Sequence, residues 1–164
     1  MESRAIVILV SGAGRPRPED AAIAEEVGRL LALAGATVLT GGRGGVMEAA
    51  SRGARGAGGE TLAVLPGSDA DESPPNPHVM RAVFTGMEDA RNAVLVRTAD
   101  AVIAIGGGWG TLSEIALARK VGRPVILLGS WELVPPDRGI GPMPPRARDA
   151  AEAVAMAVRA ARRP

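Results

Sequence analysis

At 164 residues, 46% of them hydrophobic, with a net charge of +1, the chain is sized for one domain (1–164) with a real core and has no surplus charge to favour nucleic acid. It has no cysteine and a single histidine, His78. Disulfides, thiol nucleophiles, a Ser-His-Asp triad and a protein-built metal cage are thereby excluded as expectations. No apolar run approaches the ~18 residues of a membrane span and the N-terminus does not read as a secretion signal, so a cytoplasmic, non-membrane protein is expected.

In chain order, short apolar runs alternate with helical patterns. "AIVILV" (5–10) predicts a buried strand, and 18–35 predicts a helix with Pro18 in its first turn, Ile23, Val27, Leu30, Leu31 and Ala34 on one face, and Gly35 as its stop. Strands follow at 37–40 and 61–65, with "GGRGG" opening a helix between them. The acidic, proline-rich segment 66–79 is not core and is long enough to serve as a lid. A strand at 82–84, a helix within 86–99 and a strand at 101–105 come next. A helix to Val121, a strand at 124–129 and a last helix from about Asp149 complete the chain. Asp149 and Glu152 have capping-box spacing, as do Thr85 and Glu88.

Continuous apolar strands separated by helices imply a parallel sheet covered on both faces, a doubly wound α/β fold. Ligands in such folds bind beyond the carboxyl ends of the strands. Three of those junctions are unusual: "SGAGRPRP" with Ser11, Gly12 and Arg15, "TGGRGGVME" with Gly41, Gly42, Arg43 and Gly44, and "GGGWGT" with Gly107, Gly108, Trp109, Gly110 and Thr111. Glycine lets backbone N–H groups approach an anion and a helix N-terminus adds a favourable dipole, so the expected partner is a small phosphorylated ligand. The dinucleotide fingerprint fails at Arg17 and at Thr40-Gly41, and no Walker A sequence exists, since the only lysine is Lys120. Lys120 at a helix end also gives no buried Schiff base for pyridoxal phosphate chemistry. Trp109 has three open roles: stacking on a flat ring, packing under its loop, or a subunit contact. Glu114 has two, because Thr111-Leu-Ser-Glu114 is itself capping-box spacing.

"GGRGGVMEAA" (41–50), "GMEDARN" (86–92) and "GGGWGTLSE" (106–114) together resemble the SLOG superfamily of Rossmann-like proteins, whose best-known branch is the LOG phosphoribohydrolases. That resemblance implies a Rossmann-like fold and, for the LOG branch, a catalytic pair matched here by Glu114 and, with one residue of displacement, by Arg91. Asn92 stands where that motif has lysine, and Ile105 where it has proline. These departures look more like the molybdenum-cofactor carrier proteins, which implies binding of a phosphate-bearing pterin or nucleotide, with nucleotide hydrolysis as the alternative. Single-stranded DNA handling, known in other users of this fold, is disfavoured by the low net charge and few aromatics. The resemblance also implies a homo-oligomer, dimer or tetramer. The consecutive Val94, Leu95 and Val96 suggest a helix with one face to spare for it.

Overall fold

The computed structural model describes residues 4–162. Its strands are β1 (Val7–Gly12), β2 (Thr37–Thr40), β3 (Thr61–Leu65), β4 (Arg81–Phe84), β5 (Ala101–Ile105) and β6 (Val125–Leu128). Its helices are α1 (Pro18–Leu33), α2 (Val46–Gly56), α3 (Asn92–Thr98), α4 (Trp109–Lys120) and α5 (Ala150–Ala161). All strand pairs are parallel, in the order β4-β3-β2-β1-β5-β6. The chain winds outward from β1 to β4, then crosses back to lay β5 against the other side of β1. The reversal therefore falls between β1 and β5, and their carboxyl ends frame the crevice. The expected doubly wound, Rossmann-like α/β fold is the observed one.

Both sheet faces are covered, which is why the strands read as unbroken apolar runs. Ile8, Val10, Val38, Ile103 and Ile105 pack under α1, α2 and α5. Leu9, Leu39, Val102, Ala104 and Leu127 pack on the other face, with Leu95 and Val96 of α3 and Ile115 of α4. No described helix is long and apolar enough to cross a membrane.

A core with one phenylalanine cannot be filled by rings, and α1 and α2 solve this by close approach. A Cβ on Gly28 would lie 1.9 Å from the Ala50 carbonyl oxygen, and one on Gly53 would lie 1.9 Å from that of Glu25. Each helix thus presses its backbone onto the other through a glycine. Glycine costs about 1 kcal/mol relative to alanine inside a helix, so these positions are held by packing.

Local detail departs from expectation in four places. β1 starts and ends two residues later than 5–10. The expected helix in 86–99 begins as an α-helix only at Asn92, after a 3-10 turn over Glu88–Arg91. There the Thr85 hydroxyl donates to the Leu65 carbonyl and accepts from Met87 N–H, while Glu88 N–H donates to Pro66 O, so the expected Thr85–Glu88 cap does not form. Leu95 and Val96 are both fully buried, so the apolar run of α3 is consumed inside the chain and leaves little of the spare face that suggested an oligomer. At α5 the cap does form: Asp149 accepts from Glu152 N–H at 2.8 Å, and the Glu152 carboxylate reaches back to Arg148 N–H at 2.7 Å.

Gly28→Ala is expected to lower unfolding free energy by about 2 kcal/mol, because overpacking two backbones outweighs the ~1 kcal/mol gained in helix propensity. Gly56→Ala, whose Cβ meets nothing within 4 Å, is the control and leaves stability unchanged or raised. Urea denaturation of the pair reads both.

Candidate functional site

The three glycine-bearing junctions meet at the carboxyl edge of β1, β2 and β5. Val46 N–H, opening α2, donates to Ala13 O at 3.0 Å, which sews the first loop to the second. Gly12 sits against Val46 so closely that a Cβ would lie 2.4 Å from its Cγ1. The loop 41–45 is held from outside by Asn76, whose N–H donates to Gly42 O at 2.8 Å and whose amide donates to Arg43 O at 2.9 Å. Segment 66–79 is therefore fastened to the second loop at Asn76.

At the third junction Gly106 and Gly107 take φ of 53° and 110°, values closed to most side chains. A Cβ on Gly107 would also strike Thr111 at 2.5 Å, so both backbone and packing demand glycine there. Gly108 is the N-cap of α4, and Leu112 N–H returns to Gly108 O at 3.0 Å. Among the described residues, the amides of Gly107, Gly108, Trp109, Gly110 and Thr111 donate to no protein acceptor. The dipole of a 12-residue helix stands behind them. Cβ atoms added at Gly108 and Gly110 would meet nothing within 4 Å. Neither glycine is required by the chain's own packing.

Glu114 lies on the α4 face turned to the sheet and is only 9% exposed. Its Oε2 accepts from the Ser11 hydroxyl, itself buried at the end of β1. The Thr111–Glu114 capping box does not form: Thr111 lies inside the first turn, and Glu114 spends its carboxyl on Ser11. Burial pushes the Glu114 carboxyl above the usual range, while the Ser11 bond and the Arg91 charge pull the other way.

Arg91 closes the 3-10 turn before α3 and points into the sheet edge. Its Nη1 donates to Gly41 O at 3.0 Å and also to Val64 O, tying the ends of β2 and β3 together. A Cβ on Gly41 would lie 2.6 Å from that Nη1, so Gly41 is small to admit the guanidinium. Burial lowers the Arg91 pKa from its ordinary value, and the nearby Glu114 opposes this. The ion pairs of the described residues do not join the two directly. Arg43 and Arg15 are exposed on the rims of their loops, neither with an ion-pair partner among the described residues.

Trp109 stands at the first position of α4 and is 78% exposed, so it does not pack beneath its loop. Its ring lies 5.3 Å from that of Trp131, at 39°. Trp131 follows β6 in "GSW", a fourth junction at the same edge that sequence reasoning passed over. Its indole N–H donates to Gly108 O at 3.2 Å, and the Ser130 hydroxyl donates to Gly106 O at 2.6 Å. The signal was present in Gly129-Ser130-Trp131 directly after an apolar strand. Asp20 was also missed: it is buried, accepts two bonds from Arg17 at 2.9 Å, and stands 2.7 Å from a Cβ placed on Gly106. His78 sits apart, its carbonyl accepting from Thr61.

The model of the SLOG cluster4 family matches residues 5–154. The chain belongs to the SLOG cluster4 family. An uncharacterized protein of Archaeoglobus fulgidus is 43% identical to it over 119 residues, covering 73% of this chain and 77% of that one. Among solved structures, the molybdenum cofactor binding protein from Rippkaea orientalis is 36% identical with a TM-score of 0.86, covering 96% of this chain and 98% of that one. The molybdenum cofactor carrier protein from Chlamydomonas reinhardtii is 34% identical with a TM-score of 0.83, again over 96% and 98%. The superfamily resemblance read from "GGRGGVMEAA" and "GGGWGTLSE" is thus borne out.

A buried carboxyl with a raised pKa binds its proton more tightly in the folded than in the unfolded chain. Between the unfolded value, near 4.5, and the higher folded one, the native state holds the extra proton, so stability falls as pH rises. Glu114→Gln keeps an acceptor for Ser11 and has no proton to lose. Its melting temperature is expected to exceed that of the parent increasingly as pH climbs above 4.5, and the two curves are expected to run parallel below it.

Proposed function

We propose that the chain binds a phosphate-bearing pterin or nucleotide, of the molybdenum-cofactor kind, as a carrier. The phosphate is held on the amides of Gly107 to Thr111, with Ser11, Gly12 and the loop Gly41–Gly44 forming the opposite wall. The observation that carries this reading is the row of unspent amides beside two glycines whose Cβ positions open onto free space. Such a cradle fits a phosphate monoester, and Arg43 and Arg15 on its rims are free to meet the same anion. Likeness to proteins named for binding or carrying the molybdenum cofactor supports that class of cargo.

The carrier reading is favoured over phosphoribohydrolysis by what Glu114 and Arg91 are already doing. A carboxylate that stabilises an oxocarbenium-like state has to be ionised and open to the ribose. Glu114 is buried, bonded by Ser11, and shifted toward its neutral form. Arg91 holds two main-chain carbonyls. The pair supports the floor of the cleft, and the chain holds its ligand intact.

Incubation with a panel of nucleoside 5′-monophosphates is expected to release no free base, while guanosine 5′-monophosphate raises the melting temperature. Gly108→Ala, at a φ of −108° that alanine adopts freely, is expected to leave the unliganded melting temperature unchanged and to weaken that binding at least about tenfold. Base release by the parent chain, lost in Glu114→Gln, would replace the carrier reading with the hydrolase.

A further inference from the structure

On the α1 side of the third glycine loop, away from Glu114, lies a second compartment of about 590 Å³. Arg15, Arg17, Asp20, Gly107, Ser130 and Trp131 line it. It opens at the carboxyl ends of β1, β5 and β6, and it shares Gly107 and Gly108 with the phosphate cradle.

Its aromatic wall is held in place. The Trp131 indole N–H is fixed on Gly108 O, and the backbone beneath it is clamped by Arg146, which donates to Trp131 O at 3.3 Å and Ser130 O at 3.2 Å. Trp109 backs Trp131 at 5.3 Å. Trp109 is 78% exposed and lies outside the compartment's lining, whereas Trp131 is half-buried and forms part of that lining. Across the cleft, Arg17 is neutralised by the buried Asp20, whereas Arg15 faces the opening with no ion-pair partner among the described residues.

We infer that this compartment receives the flat heteroaromatic ring of the ligand, with Trp131 as the stacking platform, Trp109 its support, and Arg15 the cation at the mouth. The inference rests on the phosphate reading above and extends it from an anion site to a two-part site. The ring lies on the β6 side of Gly107–Gly108 and the phosphate on the amides of the same loop. Ring stacking on an aromatic side chain tolerates many bases, so the compartment selects for a planar ring, purine or pterin, over none.

The chain has two tryptophans and no tyrosine, so its intrinsic emission reports on this wall alone. Guanosine 5′-monophosphate and ribose 5-phosphate carry the same phosphate with and without a ring. Calorimetric and emission titrations of the full chain are expected to show the nucleotide binding about tenfold or more tightly, with saturable quenching that ribose 5-phosphate does not produce. Trp131→Ala is expected to abolish the nucleotide's advantage over ribose 5-phosphate when both are titrated into that variant. Trp131→Phe, which keeps a ring and guards against a folding defect in the alanine variant, is expected to retain affinity within about threefold. Equal binding of both compounds by the parent chain, or a nucleotide advantage that survives Trp131→Ala, would overturn the ring assignment and leave the phosphate reading standing. If neither compound binds, the phosphate reading falls and the ring assignment falls with it.

Discussion

The contact on which the rest of the molecule depends is the one between α1 and α2, where Gly28 and Gly53 let each backbone lie against a carbonyl of the other. With three aromatic residues in 164, the interior is closed by bringing main chains together, since bulky side chains are scarce. That closeness has a structural product. Helices that meet at van der Waals distance bring their N-terminal loops together too, and Val46 N–H then reaches Ala13 O. The first two walls of the crevice are thus set by packing on one face of the sheet, well below the loops themselves.

The second and third walls are also held from the other face. Arg91 enters the sheet edge from beneath, joins β2 to β3 through two carbonyls, and excludes any side chain at Gly41. Ser11 and Glu114 then fasten β1 to α4. Glu114 and Arg91 thus work here as ties between elements. A family motif fixes which residues stand near the ligand, and their hydrogen bonds decide whether they are free to act on it.

Much of this was legible in the residues. The apolar runs gave every strand to within two positions, because a strand buried on both faces has no alternation to misread. The three glycine junctions were found because glycine clusters after strands have few other uses. The failures share a cause. Capping-box spacing at Thr85–Glu88 and at Thr111–Glu114 is a local pattern, and each was overruled by a distant partner: the Leu65 carbonyl for Thr85, and Ser11 for Glu114. Val94, Leu95 and Val96 suggested a face to spare, but α3 is short and sits deep enough that two of the three are swallowed. Trp131 had a signal in Gly129-Ser130-Trp131 after an apolar strand, whereas Asp20 had none, because its place beside the third loop comes from α1 lying next to β5.

The burial of Glu114 bears on the charge near the crevice. An ionised carboxylate one turn inside α4 would set a full negative charge against the positive end of that helix, and a phosphate approaching the amides would be met by repulsion. Burial favours the protonated form, in which the side chain fills the space between β1 and α4 without adding a charge against the field of the helix. Ser11, by donating to it, gives the buried carboxyl a hydrogen-bond partner. The chain thus keeps this acid in the interior, where desolvation works against its charge and Ser11 supplies its hydrogen bond.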